Sequence, residues 1–328
     1  MTKHGGPGVL QVQERPDPPL GAGQVRVEVA AAGVNFADVM AVQGLYPDAP
    51  KPPCVIGYEV AGTVLEVGEG VERPPTVGER VLGATKFGGY ASQVVLGAQD
   101  LLALPEQLSF AQGAAIPVNY ATAWAALIGY GNVQPGERVL IHSAGGGVGI
   151  AATQIAKHAG AEVYGTASPG KHARINELGV DHPIDYTAQG WERGLPPFDV
   201  VLDAIGGKSF RLSYSQLRAG GRLVAFGAAA VVSGERKNPV RAVATLMRMP
   251  RFNVVKQMSE SKAVIGLNVL TLWKDRGTLV PWIEPLQQML EEGTIKPVVA
   301  GEFPFAQAPQ AHEMIIERRN LGKVVLVP

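Results

Sequence analysis

The 328-residue sequence has one cysteine, Cys54, and no surplus of charge, since 29 Lys and Arg residues balance 29 Asp and Glu residues. One cysteine excludes an intrachain disulfide framework and a cysteine-rich structural zinc site. The neutral balance argues against nonspecific nucleic-acid binding, which depends on surplus positive charge. No uninterrupted apolar run approaches the roughly 18 residues of a membrane-spanning helix, and the N-terminus lacks the apolar core of a signal peptide. We therefore expect a cytoplasmic protein with no nucleic-acid partner and no stable membrane insertion.

Glycine and apolar residues are plentiful, and their patterns divide the chain into three regions. Up to about residue 118, short β-type runs such as 24–29 and 60–65 alternate with Gly and Pro, which predicts a mainly-β sandwich or barrel. From there to about residue 266, apolar strands alternate with helical segments, which predicts a parallel sheet buried on both faces. The predicted strands of this sheet are 139–141, 162–164, 199–203, 222–226 and 263–265. The last stretch mixes a helix over 282–290 with short strands.

The strongest local signal is a glycine-rich turn after the apolar run that begins at Val139. The spacing Ala144-x-Gly146-x-x-Gly149 matches the dinucleotide-binding G-x-G-x-x-G pattern, with Ala in place of the first glycine. A turn of this kind brings the backbone close to a diphosphate and directs free helix N–H groups at it. We predict diphosphate contacts from Ala144, Gly146, Gly147, Val148 and Gly149. The alternative is a turn that serves only the packing of helix on strand.

The residues at the end of the next strand indicate whether the dinucleotide is NAD or NADP. An NAD site places an acidic residue there for the ribose hydroxyls, whereas residues 164–174 contain none. Ser168 and Lys171 stand there instead, and both are suited to a 2′-phosphate through charge-assisted bonds. This favours NADPH over NADH as the cofactor. The alternative for Ser168 is a helix cap, with Pro169 at the first helical position.

With these motifs, the chain resembles the medium-chain dehydrogenase/reductase superfamily, in its zinc-free quinone oxidoreductase (zeta-crystallin-like) branch. Three short segments look most similar to the vesicle-amine-transport-type subgroup: 165–168, 182–186 and 320–324. The superfamily resemblance covers essentially the whole chain and includes the glycine turn and the segments 33–38, 44–46, 57–62, 78–81, 119–123 and 322–325.

This resemblance implies an α/β fold in which a Rossmann doubly wound parallel sheet is inserted in a GroES-like, mainly-β catalytic domain. Residues 1–118 and 267–328 would form the catalytic domain, and residues 119–266 would form the dinucleotide-binding domain. The active site would lie in the interdomain cleft, and the protein would be a homodimer.

The resemblance also implies that catalysis uses no zinc. Zinc-dependent relatives carry Cys at the position of Asn35 and His at the position of Tyr58, and neither Asn nor Tyr is an ordinary zinc ligand. Without a metal to stabilise an alkoxide, the expected reaction is hydride transfer from NADPH to an electron-poor acceptor, a quinone or an α,β-unsaturated carbonyl.

Such an acceptor needs a polar anchor for the oxygen that gains charge. The candidate catalytic residues are Asn35, Tyr46 and Tyr58. Each has a structural alternative. Asn35 would stabilise the turn after Gly33, Tyr46 would be a packed loop aromatic, and Tyr58 would fill the space that a zinc ligand occupies in zinc-dependent relatives.

Further cofactor contacts are implied by the positions that match the family's motifs. Thr122 would contact the nicotinamide carboxamide or the neighbouring phosphate, and Tyr186 the adenosine ribose and 2′-phosphate. A threonine near a helix start and a surface tyrosine at a strand end are the alternatives. Contacts to the cofactor are also implied for Asn35, Phe226, Leu267, Asn268 and Asn320, the last with a buried structural amide as its alternative.

A second hypothesis is an NADPH-binding protein with little turnover that acts through partners or lipid. The subgroup resemblance motivates it, and one locally basic stretch lies within residues 231–258. The structural alternative for this stretch is a helical insertion whose charged side chains face solvent. The cations of the stretch are interleaved with Val, Leu and Met, and they are Arg236, Lys237, Arg241, Arg248, Arg251 and Lys256.

Overall fold

Two β-sheets organise the chain, one in each of two units. The computed structural model describes residues 1–232, 234, 243–245 and 247–328. The first unit contains Met1–Ala121, Gly234 and Leu272–Pro328, and the second contains the described residues within 122–233 and 238–271. Three cations of the basic stretch, Arg236, Lys237 and Arg241, lie outside the described residues.

The first unit is built around one long strand, β1 (Gln24–Val34), whose valines at 25, 27 and 29 are all buried. This alternation is typical of a strand with one face in the core. Strand β1 pairs antiparallel with three strands, and one of them, β13, comes from the end of the chain. The other strands of this sheet are β2 (Glu59–Val67), β3 (Arg80–Ala84), β4 (Gln93–Gly97), β5 (Leu101–Ala103), β12 (Val299–Pro304) and β13 (Lys323–Val327).

The second unit contains a six-stranded sheet in which all neighbouring strands are parallel. Its order is β11-β10-β9-β6-β7-β8, which is the doubly wound 3-2-1-4-5-6 order of dinucleotide-binding domains. The central strands are buried on both faces, as their continuous apolar runs predict. These strands are β6 (Arg138–Ile141), β7 (Glu162–Ala167), β8 (His182–Asp185), β9 (Phe198–Asp203), β10 (Leu217–Ala225) and β11 (Ala263–Gly266).

The helices lie between these strands, and one π-helical segment, Ala125–Tyr130, follows α3 directly. In the part of the chain that the structure describes, no helix has the length and apolar character needed to cross a membrane. The helices are α1 (Phe36–Val42), α2 (Phe110–Gly113), α3 (Pro117–Trp124), α4 (Gly147–His158), α5 (His172–Glu177), α6 (Lys208–Ser215), α7 (Val254–Glu260), α8 (Val269–Arg276), α9 (Val280–Glu291) and α10 (Ala308–Ile316).

The predicted fold class is confirmed: in chain order, the segment that forms the parallel Rossmann sheet is inserted between two segments of a mainly-β unit. Local bounds differ at β10, which begins at Leu217 rather than at Arg222. The register of β10 on β9 shifts between these two residues, at Gly220 and Gly221, where the sequence shows no strand pattern. Strand β8 was not among the predicted strands, because it is four residues long and contains Pro183.

The antiparallel pairing of β1 with β2 leaves no space for a side chain at Gly62. A Cβ at Gly62 would lie 1.9 Å from the Glu28 carbonyl oxygen, so the paired strands would have to separate. We expect Gly62→Ala to lower the free energy of unfolding by about 1–3 kcal/mol, as overpacking does. Gly8→Ala is the control, because a Cβ there meets nothing within 4 Å. Urea unfolding checks this, and equal stabilities of the two variants would contradict it.

Candidate active site

The glycine turn joins β6 to α4 through a sharp change of direction. Ser143 adopts a left-handed conformation with φ 57°, and the first bond into the helix is donated by the Ile150 N–H to the Gly146 carbonyl oxygen at 2.9 Å. A Cβ at Gly149 would lie 2.3 Å from the Ser143 oxygen and 2.7 Å from the Ala144 Cα. Packing of helix on strand therefore requires glycine at 149.

Alanine takes the first glycine position because the neighbouring strand makes room for it. The Ala144 methyl faces Gly165 of β7, where an added Cβ would lie 2.7 Å from it. The Ala144 N–H also donates to the Thr166 carbonyl oxygen at 3.0 Å. The departure from the glycine pattern is thus compensated by a glycine across the sheet.

The residues at the tip of the turn have the properties that a diphosphate site needs. Gly146, Gly147 and Val148 are partly exposed, whereas Ala144 and Gly149 on either side are buried. The first N–H groups of a helix have no partner within that helix, so α4 directs unpaired donors and its positive dipole end at this surface. Packing explains Gly149, and the exposed tip fits a bound diphosphate.

Lys171 lies against this turn. It is half-buried, and a Cβ at Gly145 would lie 3.3 Å from its Cδ, so the aliphatic stem packs beside the glycines. Burial lowers the pKa of the Lys171 ammonium group. Ser168 precedes a 3₁₀ turn with Pro169 at its start, yet its hydroxyl makes no capping bond. Tyr186 follows β8 and is 38% exposed.

A buried polar network that the sequence did not reveal connects three strand ends. The His142 ring nitrogens lie 3.3 Å from the Thr166 hydroxyl and 3.0 Å from the Ser213 hydroxyl. Ser213 donates to Asp203 Oδ2 at 2.7 Å, and Asp203 Oδ1 accepts the Ile205 N–H at 2.7 Å. Burial lowers the pKa of His142, which favours its neutral form. The network holds the ends of β6, β7 and β9 together where strand order reverses, the usual place for a ligand.

The remaining predicted cofactor residues of the second unit lie at or near strand ends, apart from Thr122. The Phe226 N–H donates to the Asp203 carbonyl at 3.1 Å and the Leu267 N–H to the Ala225 carbonyl at 2.9 Å. Asn268 Oδ1 accepts two N–H groups from the start of α8, so this side chain caps the helix. Thr122 is buried within α3.

In the first unit, Asn35 belongs to a fully buried charged cluster. Its Oδ1 accepts from Lys323 Nζ at 2.6 Å, and its Nδ2 donates to Glu59 Oε1 at 2.8 Å. Lys323 also donates to Glu59, and Glu59 Oε2 accepts the Val118 N–H at 2.7 Å. Asn320, by contrast, donates from its amide to the Gly322 carbonyl at 2.9 Å, which is a turn contact.

The structure brings Tyr46 and Tyr58 together, with ring centroids 6.2 Å apart in an edge-to-face arrangement. The Phe87 ring also packs against Tyr58, with 5.0 Å between the ring centroids. The Tyr58 hydroxyl is buried and has no hydrogen-bond partner among the described residues. Burial raises the pKa of Tyr58 well above its ordinary value, so the phenol stays protonated. A buried donor without a partner is unusual, and Trp273 Nε1 and the Tyr214 hydroxyl are two others among the described residues.

The first unit also contains a second buried polar group, centred on Asp38. Its carboxylate accepts the N–H groups of Asn35 at 2.9 Å and Gly57 at 3.0 Å, and burial raises the pKa of Asp38 to about 7. The Tyr90 hydroxyl lies 3.2 Å from His312 Nε2. Burial lowers the pKa of His312 to about 3, so the ring is neutral at pH 7. These contacts give Asp38 a structural role at the start of α1.

The buried His312 predicts a pH-dependent loss of stability. Its pKa is lower in the folded than in the unfolded protein, so its contribution is present above about pH 6.5 and is lost as the pH falls towards 3. We expect His312→Gln, which keeps an acceptor for Tyr90, to make the free energy of unfolding less steeply dependent on pH between 6.5 and 4. His158→Gln, at an exposed position, is the control. Parallel pH slopes for wild type and His312→Gln in urea unfolding would contradict this assignment.

Within the described ranges, no group of three or more His, Cys, Asp or Glu side chains is arranged to hold a metal ion. The positions of Asn35 and Tyr58 carry an amide and a phenol, and the nearest buried cation is the Lys323 ammonium group at Asn35.

Comparison with known proteins places this arrangement in a family. Residues 21–106 match the alcohol dehydrogenase GroES-like domain, and residues 178–326 match the family described as zinc-binding dehydrogenase. The human synaptic vesicle membrane protein VAT-1 homolog is 34% identical over 336 residues, which cover 100% of this chain and 85% of that protein.

Two solved structures show the same fold over the full chain. The Escherichia coli quinone oxidoreductase complexed with NADPH is 30% identical, with a TM-score of 0.85 and coverage of 100% of this chain and 98% of that one. The CurK enoyl reductase is 28% identical, with a TM-score of 0.86 and coverage of 100% and 97%. The chain therefore belongs to the medium-chain dehydrogenase/reductase superfamily, in its zinc-free quinone oxidoreductase and VAT-1-like branch.

Proposed function

We propose that this oxidoreductase uses NADPH to reduce a quinone or an α,β-unsaturated carbonyl compound. The observation that carries the proposal is the buried, unpartnered hydroxyl of Tyr58, a donor held ready for an acceptor oxygen. The quinone oxidoreductase and the enoyl reductase among the similar structures support this substrate class. A homodimer and a cytoplasmic location, which the family resemblance implies, are part of the same proposal.

The cofactor half of the proposal rests on the second unit. The donors at the tip of the glycine turn would hold the diphosphate, and Lys171 beside that turn would hold the 2′-phosphate. The free hydroxyl of Ser168 would add a bond to the same phosphate, since it is not engaged in capping. Phe226, Leu267, Thr122 and Tyr186 would line the remainder of the cofactor, with Asn320 contributing from the first unit. When bound, the cofactor supplies the hydride.

Lys171 should determine the preference for NADPH. We expect Lys171→Glu to raise the KM for NADPH about tenfold or more, because a carboxylate would replace the cation beside the 2′-phosphate. The KM for NADH should change little, since NADH has no 2′-phosphate, and it serves as the internal control. Steady-state kinetics with both cofactors measure this. An equal change in the two KM values would show that Lys171 does not contact the 2′-phosphate.

The acceptor half of the proposal rests on the first unit. As hydride arrives at carbon, the acceptor oxygen gains negative charge, and a prepositioned donor stabilises that charge. Tyr58 acts as such a donor rather than as a strong acid, because its raised pKa keeps the proton on the phenol. Tyr46, 6.2 Å away, would pack against the acceptor ring or chain, and the Asn35 amide would be the second donor. The proton that completes the product then comes from solvent.

Removal of the Tyr58 hydroxyl should separate activity from stability. We expect Tyr58→Phe to lower kcat about tenfold to a hundredfold, since loss of one such donor costs about that much or more. Its free energy of unfolding should be unchanged or higher, by up to about 1–3 kcal/mol, because the hydroxyl that is removed has no hydrogen-bond partner among the described residues. Steady-state kinetics and urea unfolding on the same preparations measure both quantities.

The matched control is Tyr90→Phe, which also removes one buried phenol oxygen. The Tyr90 hydroxyl bonds to His312, so its loss should cost about 1 kcal/mol of stability. A Tyr58→Phe variant that loses stability as Tyr90→Phe does, while keeping full kcat, would contradict the proposed role of Tyr58.

A second candidate function is a cofactor-binding protein with little turnover that acts through a partner or lipid. The observation that favours it is the strongly exposed apolar face formed by Val254, Val255 and Met258 on α7. NADPH oxidation monitored by absorbance with a panel of quinones and enones discriminates between the two. Saturable oxidation supports the reductase, whereas tight NADPH binding without turnover supports the second candidate.

A further inference from the structure

Lys323 is buried at the start of β13, and its side chain is 3% exposed. Its ammonium group contacts two acceptors, Asn35 Oδ1 and Glu59 Oε1, and Asn35 Nδ2 bonds back to that same Glu59 oxygen. Three side chains therefore form a closed triangle, and the Val118 N–H fixes the free oxygen of Glu59. The cluster joins residues 24, 264 and 288 positions apart in the chain.

The partners of Asn35 determine which way its amide faces. Lysine can only donate and a carboxylate can only accept, so the oxygen of the amide must face Lys323 and the nitrogen must face Glu59. An asparagine amide has two N–H hydrogens, and the described contacts use one of them. The same pair of partners thus leaves the second hydrogen of Nδ2 available to a ligand.

The backbone two residues before Asn35 packs directly against the cluster. A Cβ at Gly33 would lie 2.6 Å from both Glu59 Oε1 and Lys323 Cε, and 2.4 Å from the Ala114 oxygen. The glycine of the Gly33-Val-Asn35 segment is therefore required by this cluster. Without the ammonium group, Glu59 would be an unpaired buried carboxylate, and it would repel an acceptor oxygen that gains negative charge.

We propose that Lys323 is a positioning residue of the reduction: it fixes the Asn35 amide with an N–H directed at the acceptor oxygen and neutralises Glu59. This inference rests on the proposed function, because the oxygen it serves is that of the quinone or enone. Lys323 is buried behind Asn35 and acts through it, without contacting the substrate.

The test uses the double variant Lys323→Met/Glu59→Gln in the full chain. The single Lys323→Met leaves a buried carboxylate unpaired and destabilises the fold, whereas the double variant removes both charges. We expect the double variant to bind NADPH with a Kd within about twofold of wild type, since the glycine turn is untouched, and to lose about tenfold to a hundredfold in kcat. Lys157→Met, which removes an exposed lysine of the second unit, is the matched control and should keep the wild-type kcat.

A double-mutant cycle with Asn35→Ala shows whether Lys323 acts through Asn35. In the Asn35→Ala background, the change at Lys323 and Glu59 should lower kcat no further. Full additivity of the two effects, or an unchanged kcat in the double variant, would overturn the proposal.

A readout independent of turnover is the hydrogen exchange of the Asn35 side-chain amide, followed by NMR. We expect it to be at least about tenfold faster in the double variant than in wild type, because the amide loses the lysine donor and exchanges a carboxylate acceptor for a weaker, neutral amide oxygen. If wild type does not oxidise NADPH with any acceptor, the proposed function fails, and exchange alone decides the positioning. Equal exchange rates in the two proteins would overturn it.

Discussion

The contact on which the nucleotide-binding unit depends is the approach of α4 to the end of β6. With 2.3 Å between a Cβ at Gly149 and the Ser143 oxygen, no side chain fits there, and the helix can begin immediately after the strand only because glycine stands at 149. That approach directs the unpaired N–H groups of α4 outwards at the tip of the turn. The Ala144 methyl is admitted because Gly165 faces it in β7, so turn and neighbouring strand are complementary.

The sequence predicts the elements that local residue patterns determine. It predicts less well the elements whose bounds depend on pairing between distant segments. Continuous apolar runs predicted the central parallel strands, and the fold class is confirmed. Strand β8 escaped prediction because four residues with a proline carry no periodicity, and Leu217 joined β10 only through a register shift. At Asn268 the structure provides a helix cap that local spacing did not indicate, and at Ser168 the cap bond that was the alternative to a phosphate contact is not made.

The sequence names candidate site residues, but it does not predict their hydrogen-bond partners. Asn35 was expected as an anchor or as a brace of the turn, and the structure gives its amide two charged partners, Glu59 and Lys323, from distant strands. His312 and Tyr90 form a hydrogen bond although they are 222 positions apart in the chain, and no sequence motif indicates this contact. A single sequence contains the residue types, whereas the contacts between them follow from strand order and register, which depend on the whole sheet.

The described part of the first unit contains buried polar groups of two kinds, those with hydrogen-bond partners and those without. Asp38, Glu59 and Lys323 all have hydrogen-bond partners that fix their geometry, and burial nevertheless raises the pKa of Asp38. The Tyr58 hydroxyl is buried without a partner, a loss of about 1–3 kcal/mol that a phenylalanine would avoid. Trp273 Nε1 and His312 Nδ1 in the same unit are also buried without a partner. The Tyr58 phenol differs from them in lying beside the Tyr46 and Phe87 rings. In the proposed function, an oxygen that arrives with the acceptor supplies the missing partner of this phenol.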